Sequence, residues 1–167
     1  MDFLNHMLVY FNSEKTLGVL SIPMGAGVLI LSGFVWYSHR DALASGMIVP
    51  LAIFGIVAVA GGTLLVHRTD KQMEQLTQLF QEDKRAFVEQ ELPRMEKVNA
   101  NWPRLKVAYA IVVIVSLAVL FFVNKEWFTG LAMALILMSA ILLIVDVFAE
   151  KRAVIYTEYI RLINTSN

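Results

Sequence analysis

The sequence predicts an all-α integral membrane protein, with four transmembrane helices paired as two antiparallel hairpins and a cytoplasmic helical region between spans two and three. Three observations predict it. The chain carries four long stretches without a charge, bounded by Lys15 and His39, Asp41 and His67, Lys106 and Lys125, and Glu126 and Asp146. Its composition is 57% hydrophobic and only 17% charged, where a soluble domain has about 25% charged residues. Its basic residues are also distributed unevenly about those stretches, as described below.

Taken in order, residues 1–15 place Phe3, Leu4, Met7, Leu8 and Phe11 on one side of a helix, with Asp2, Asn5 and His6 elsewhere. This pattern predicts a short amphipathic segment lying in the inner membrane interface. It is not a cleavable leader, because a basic start and a small-x-small cleavage site are both missing. Spans follow at residues 16–37, 46–66, 104–123 and 127–148. Each approaches the roughly 20 residues a helix needs to cross about 30 Å of hydrocarbon. Inside that layer every backbone group must find its partner within the segment, which selects helices. Spans one and two are joined by eight residues, Ser38 to Ser45, and spans three and four by a turn at Asn124, Lys125 and Glu126. Links this short make the joined helices antiparallel neighbours.

The polar stretch 68–103 between the pairs reads as a helical hairpin. Thr69 to Gln72 fits a capping box that would start a helix, with Met73, Leu76 and Phe80 on its apolar face. A second helix is expected after Asp83, carrying Phe87, Leu92 and Met95 and interrupted or kinked by Pro93. Pro103 suits the first turn of span three. Beyond span four, residues 149–167 form a cytoplasmic helical tail whose apolar side would be Val154, Ile155, Tyr159, Leu162 and Ile163, with a frayed end.

Orientation follows from lysine and arginine, which concentrate in cytoplasmic loops. Twelve of the 14 basic residues flank the ends that carry both termini and the central region, leaving Arg40 and Lys125 on the other side. Both termini are therefore expected in the cytoplasm, and the short links suggest a bacterial inner membrane. Trp36, Tyr37, Trp127 and Phe128 fall at the outer boundary, while Trp102 and Tyr109 fall near the inner one.

Several functions are disfavoured. Fourteen basic and 14 acidic residues cancel, which argues against a nucleic-acid partner. Without cysteine there is no disulfide, thiolate metal site or cysteine nucleophile. No nucleophile with a positioned base is visible, nor a pair of acids, so no enzyme, cofactor or metal site is expected. His39 and His67 fall on opposite faces, and His6 with His67 makes too small a set to hold a metal.

The polar candidates are Asp146, His67 and Arg68. Asp146 is the one acid within a span. It reads either as an ion or proton site or as an interfacial carboxylate paired with Lys151, Arg152, Arg68 or Arg104. The candidates for helix packing are Gly18, Ser21 and Gly25 in span one and Ala58 and Gly62 in span two, since small residues let helix backbones approach. With apolar spans and no obvious polar pathway, the sequence favours a non-enzymatic polytopic membrane protein. It would sit in the lipid bilayer and act through contacts with a protein partner or its own copies, as an accessory subunit or an immunity-type protein. The alternative is a small homo-oligomeric channel or transporter that uses Asp146.

Overall fold

The computed structural model describes residues 3–166, so the first two residues of the N-terminal segment and the last of the tail lie outside it. The described residues form four helices: α1 (Phe3–Ser38), α2 (Ala42–Glu82), α3 (Lys84–Phe122) and α4 (Glu126–Ser166). All four contain a stretch long and apolar enough to cross a membrane.

Each helix is 36 to 41 residues long, about 54–62 Å at 1.5 Å per residue. That is nearly twice the hydrocarbon thickness of about 30 Å. The excess is one-sided. It comprises the start of α1, the end of α2, the start of α3 and the end of α4, which together form a polar extension of the bundle.

Helix continuity departs from the sequence expectation at three places. Residues 3–15 are the first turns of α1 and form no separate helix. No helix starts at Thr69, which is buried within α2. Nothing between Thr63 and Glu82 breaks a helix, so the capping pattern there is a coincidence of polar residues. Pro93 does not end α3, and Pro103 lies in its interior instead of its first turn. A proline there removes one backbone hydrogen bond, and both prolines face outward. The real helix starts are capped by aspartates. The Asp41 carboxylate accepts from the Ala44 N–H at 2.7 Å. Asp83 accepts from the N–H groups of Arg85 and Ala86 at 2.9 and 3.0 Å, and its own N–H closes α2 on Leu79. One residue therefore both ends one helix and begins the next.

Two kinds of contact hold the helices, and the division follows from solvent. In lipid there is no hydrophobic drive to pair apolar faces, so helices associate by close backbone packing. Between α1 and α2 the seam is built on glycine. A Cβ at Gly18 would lie 2.9 Å from the Gly62 carbonyl oxygen, and one at Gly25 would lie 2.7 Å from that of Gly55. These contacts pair residues in opposite order along the two helices. Gly46 and Gly130 make a similar close approach between the starts of α2 and α4. In the spans, α1 packs on α2, and α3 packs on α4. The backbones of α1 and α3 do not approach within 8 Å among the described residues.

In the polar extension the core is large and aromatic. Met7, Phe11, Leu76, Phe80, Phe87, Met95, Tyr156 and Ile160 are buried there. Phe3 lies 4.8 Å from Phe80 and 5.5 Å from Phe87, and Tyr10 stacks on Tyr156 at 4.7 Å between ring centres. The tail's buried side is thus Ala153, Tyr156 and Ile160. Val154, Ile155 and Leu162, from the side the sequence analysis chose, are exposed.

Candidate functional site

The seam between α3 and α4 is polar. Lys106 pairs with Glu150, Asn99 donates to the Thr157 hydroxyl at 2.8 Å, and Arg161 pairs with Glu96 at 2.8 Å. Asp146 belongs to this seam, where it accepts from the Tyr109 hydroxyl at 2.7 Å. It makes no ion pair with Lys151, Arg152, Arg68 or Arg104, although a carboxylate this close to a span end was free to do so.

The other sequence candidates are dispersed. His67 and Arg68 are exposed, and His6 stacks on Tyr159 with ring centres 3.6 Å apart. Among the described residues no three histidine, aspartate or glutamate side chains converge as metal ligands. The five small residues do meet. Gly18 and Ser21 lie against Gly62, and Gly25 lies against Ala58.

The densest polar site contains residues the sequence analysis passed over. Glu91 is fully buried in α3. Its two oxygens accept from Nε and Nη2 of Arg94, both at 2.6 Å, and one also accepts from the Tyr156 hydroxyl at 3.2 Å. The pairing is therefore a bidentate fork, the strongest geometry open to these groups. The Arg94 guanidinium lies over the Phe11 ring at 5.9 Å, within cation–π range. Burial works against the Arg94 charge, but the hydrogen bonds and charge of Glu91 outweigh it and raise its proton affinity.

Around this fork stand Tyr10 and Glu14 of α1, Arg68 of α2 and Arg152 of α4. Burial, with Glu14 adding to it, pushes the Tyr10 phenol up to about 12. Tyr156 is raised by burial and then by Glu91. Both phenols therefore stay protonated at physiological pH, and that of Tyr156 donates to Glu91. Glu14 is different. Burial raises its carboxyl above the ordinary value, although Arg152, Arg68 and Arg94 all pull the other way. Nε and Nη2 of Arg152 are themselves buried without a hydrogen-bond partner.

One signal for this site was present in the sequence. Phe87, Glu91 and Met95 are spaced by four, so Glu91 lies in the middle of an apolar stripe. Arg152, Tyr156 and Ile160 repeat the pattern on α4.

The Glu14 shift makes a prediction. A carboxyl whose folded pKa is raised binds its proton more tightly in the folded state, so stability is lost as pH rises through its titration. Glu14→Gln should therefore melt at a higher temperature than wild type at pH 7. The two proteins should converge at about pH 3, below the ordinary carboxylate range. Thermal unfolding in detergent at both pH values checks this. A lower melting temperature for the variant at pH 7 would mean that attraction to the arginines outweighs burial.

The chain matches no protein-family model, no curated protein and no solved structure. The functional reading therefore rests on this geometry.

Proposed function

We propose that this protein is a polytopic membrane protein without catalytic activity that works by holding a protein partner at the cytoplasmic surface. It would be an accessory subunit or an immunity-type protein, in a bacterial inner membrane. In this reading the helices form two antiparallel hairpins, and both termini, the Asp83 turn and the whole polar extension are cytoplasmic. The lysine and arginine bias supports that orientation.

The observation that carries the proposal is an apolar strip on the extension, outside the spans. Ile155 and Leu162 lie along one side of α4 and are 44% and 62% exposed, with Val9 of α1, 56% exposed, sharing a recess with Ile155. The extension already has a well-filled aromatic core, so these side chains are not needed for folding. An apolar strip left open in water points to a binding surface. The channel reading finds less support, because Asp146 is held by Tyr109 and Lys106 is paired with Glu150 beside it.

Two measurements test the proposal. The chain has no cysteine, so single cysteines report position without background. Gln81→Cys should react with an impermeant maleimide only in inverted vesicles, and Asn124→Cys only from the outer face. Reaction of Gln81→Cys from outside would overturn the orientation. Second, Ile155→Glu and Leu162→Glu should release a partner that co-purifies in fixed stoichiometry with wild type, while leaving the melting temperature within about 1 °C, as surface changes do. A partner retained by both variants would rule out this strip as its docking face.

A further inference from the structure

We infer that the groove between α1 and α4 at Arg152 binds the phosphate of an anionic phospholipid headgroup. The first ground is an unmet electrostatic demand. Arg152 has two buried guanidinium nitrogens without a partner, and none of the ion pairs among the described residues includes it. Enclosed guanidinium nitrogens without hydrogen bonds are costly, so an anion that reached them from the groove would be held strongly.

The second ground is space. Arg152 lines a recess of about 410 Å³ together with Asn12, Ser13, Thr16 and Leu17. A smaller recess of about 100 Å³, reaching Tyr10 and Tyr156, adjoins it through Val9 and Arg152. The wall is mostly apolar, and its polar points for a phosphate are Arg152, Asn12 and the Ser13 and Thr16 hydroxyls. The Ser13 and Thr16 hydroxyls now donate to the carbonyls of Val9 and Asn12, and either can rotate toward a stronger acceptor.

Charge and depth narrow the ligand. Glu91 is occupied by Arg94, which leaves Arg68 and Arg152 facing the single Glu14 carboxylate. The site therefore has one positive charge in excess, matching a phosphodiester monoanion and disfavouring a headgroup that adds an ammonium. Thr16 opens the first apolar stretch, and Arg152 stands about one turn beyond the fourth, so the guanidinium lies at the boundary where lipid phosphates reside. Toward the spans, Val19 and Leu20 of α1 and Val147 and Phe148 of α4 are exposed, giving acyl chains an apolar wall continuous with the groove. Basic pockets between helices at this level are known lipid-headgroup sites. The inference rests on membrane insertion, and the groove borders the partner-docking strip at Val9 and Ile155.

Native mass spectrometry of the full chain in detergent tests it, using phosphatidylglycerol, phosphatidylcholine and inorganic phosphate as probes. Wild type should retain one phosphatidylglycerol per chain, at least tenfold more tightly than phosphatidylcholine. Thr16→Glu puts a carboxylate into the groove from an exposed position and should weaken retention by about tenfold, the size of one charge-assisted contact. Lys71→Gln, which removes a positive charge elsewhere, should retain the lipid. Arg152→Gln should match Thr16→Glu. Equal retention of phosphatidylcholine, no retention by wild type, or an equal loss in Lys71→Gln would overturn the site. Displacement of the lipid by millimolar inorganic phosphate would overturn the lipid assignment and identify a soluble phosphate ligand.

Discussion

Arg94→Met should destabilise the folded protein by about 3–5 kcal/mol, the usual cost of breaking a buried ion pair by removing one partner. The expectation depends on which partner is lost. The Glu91 side chain is 1% exposed, against 28% for Arg94. Without Arg94, Glu91 retains only the Tyr156 hydroxyl at 3.2 Å, which is too little to hold a carboxylate out of water. The double variant Glu91→Leu/Arg94→Met should recover most of the loss, because a well-packed apolar pair often replaces a buried ion pair without penalty. Denaturation in detergent, followed by tyrosine absorbance, reads both variants. If the single substitution costs under 1 kcal/mol, or the double costs the sum of the singles, the fork is not the coupled unit described above.

The position of Glu91 also shows where the sequence could be read and where it could not. The four long apolar helices were legible because a charge-free stretch of about 20 residues has few alternatives. The polar parts of the helices were not, because local signals there compete. Thr69 to Gln72 has the residues of a capping box, yet tertiary packing carries α2 straight through it. On α4, helical spacing selected Val154, Ile155, Tyr159, Leu162 and Ile163, of which Ile163 does pack against the aromatic core. The buried side instead holds a tyrosine whose ring packs on Tyr10 and whose hydroxyl reaches Glu91. Tyrosine belongs to either face by composition, and only its partners on α1 and α3 decide. The same holds for Glu91 and Arg152, which read as ordinary surface charges until the helices are assembled.

Close approaches of glycine were half legible. The spacing of Gly18, Gly25, Ala58 and Gly62 could be read within single spans. Gly46 and Gly130 lie in different hairpins of the proposed arrangement, with no motif joining them. Their role depends on α2 and α4 running side by side, which no local pattern states.

That crossing gives the second large effect. Gly130→Ala would direct its Cβ into the Leu43 carbonyl, with the Met47 N–H nitrogen 3.1 Å away, and Gly46→Ala would meet the Trp127 carbonyl and the Leu131 nitrogen. Backbone atoms cannot swing aside as a side-chain tip can, so α2 and α4 would have to separate. Overpacking of this kind costs about 1–3 kcal/mol for each substitution. Gly27→Ala and Gly33→Ala supply the control, since a Cβ at either position meets nothing within 4 Å. Their melting temperatures should stay level or rise, alanine being the better helix former. The aromatic core lies at the opposite end of the helices, so Gly130→Ala should loosen the 42–47 and 127–131 crossing before the tyrosine stacks are lost. Cysteines placed at Leu43 and Thr129 in the Gly130→Ala background should then cross-link more slowly than in wild type, while the near-ultraviolet tyrosine dichroism is unchanged. Cross-linking at the wild-type rate with an unshifted melting temperature would mean that α2 and α4 do not depend on glycine to meet.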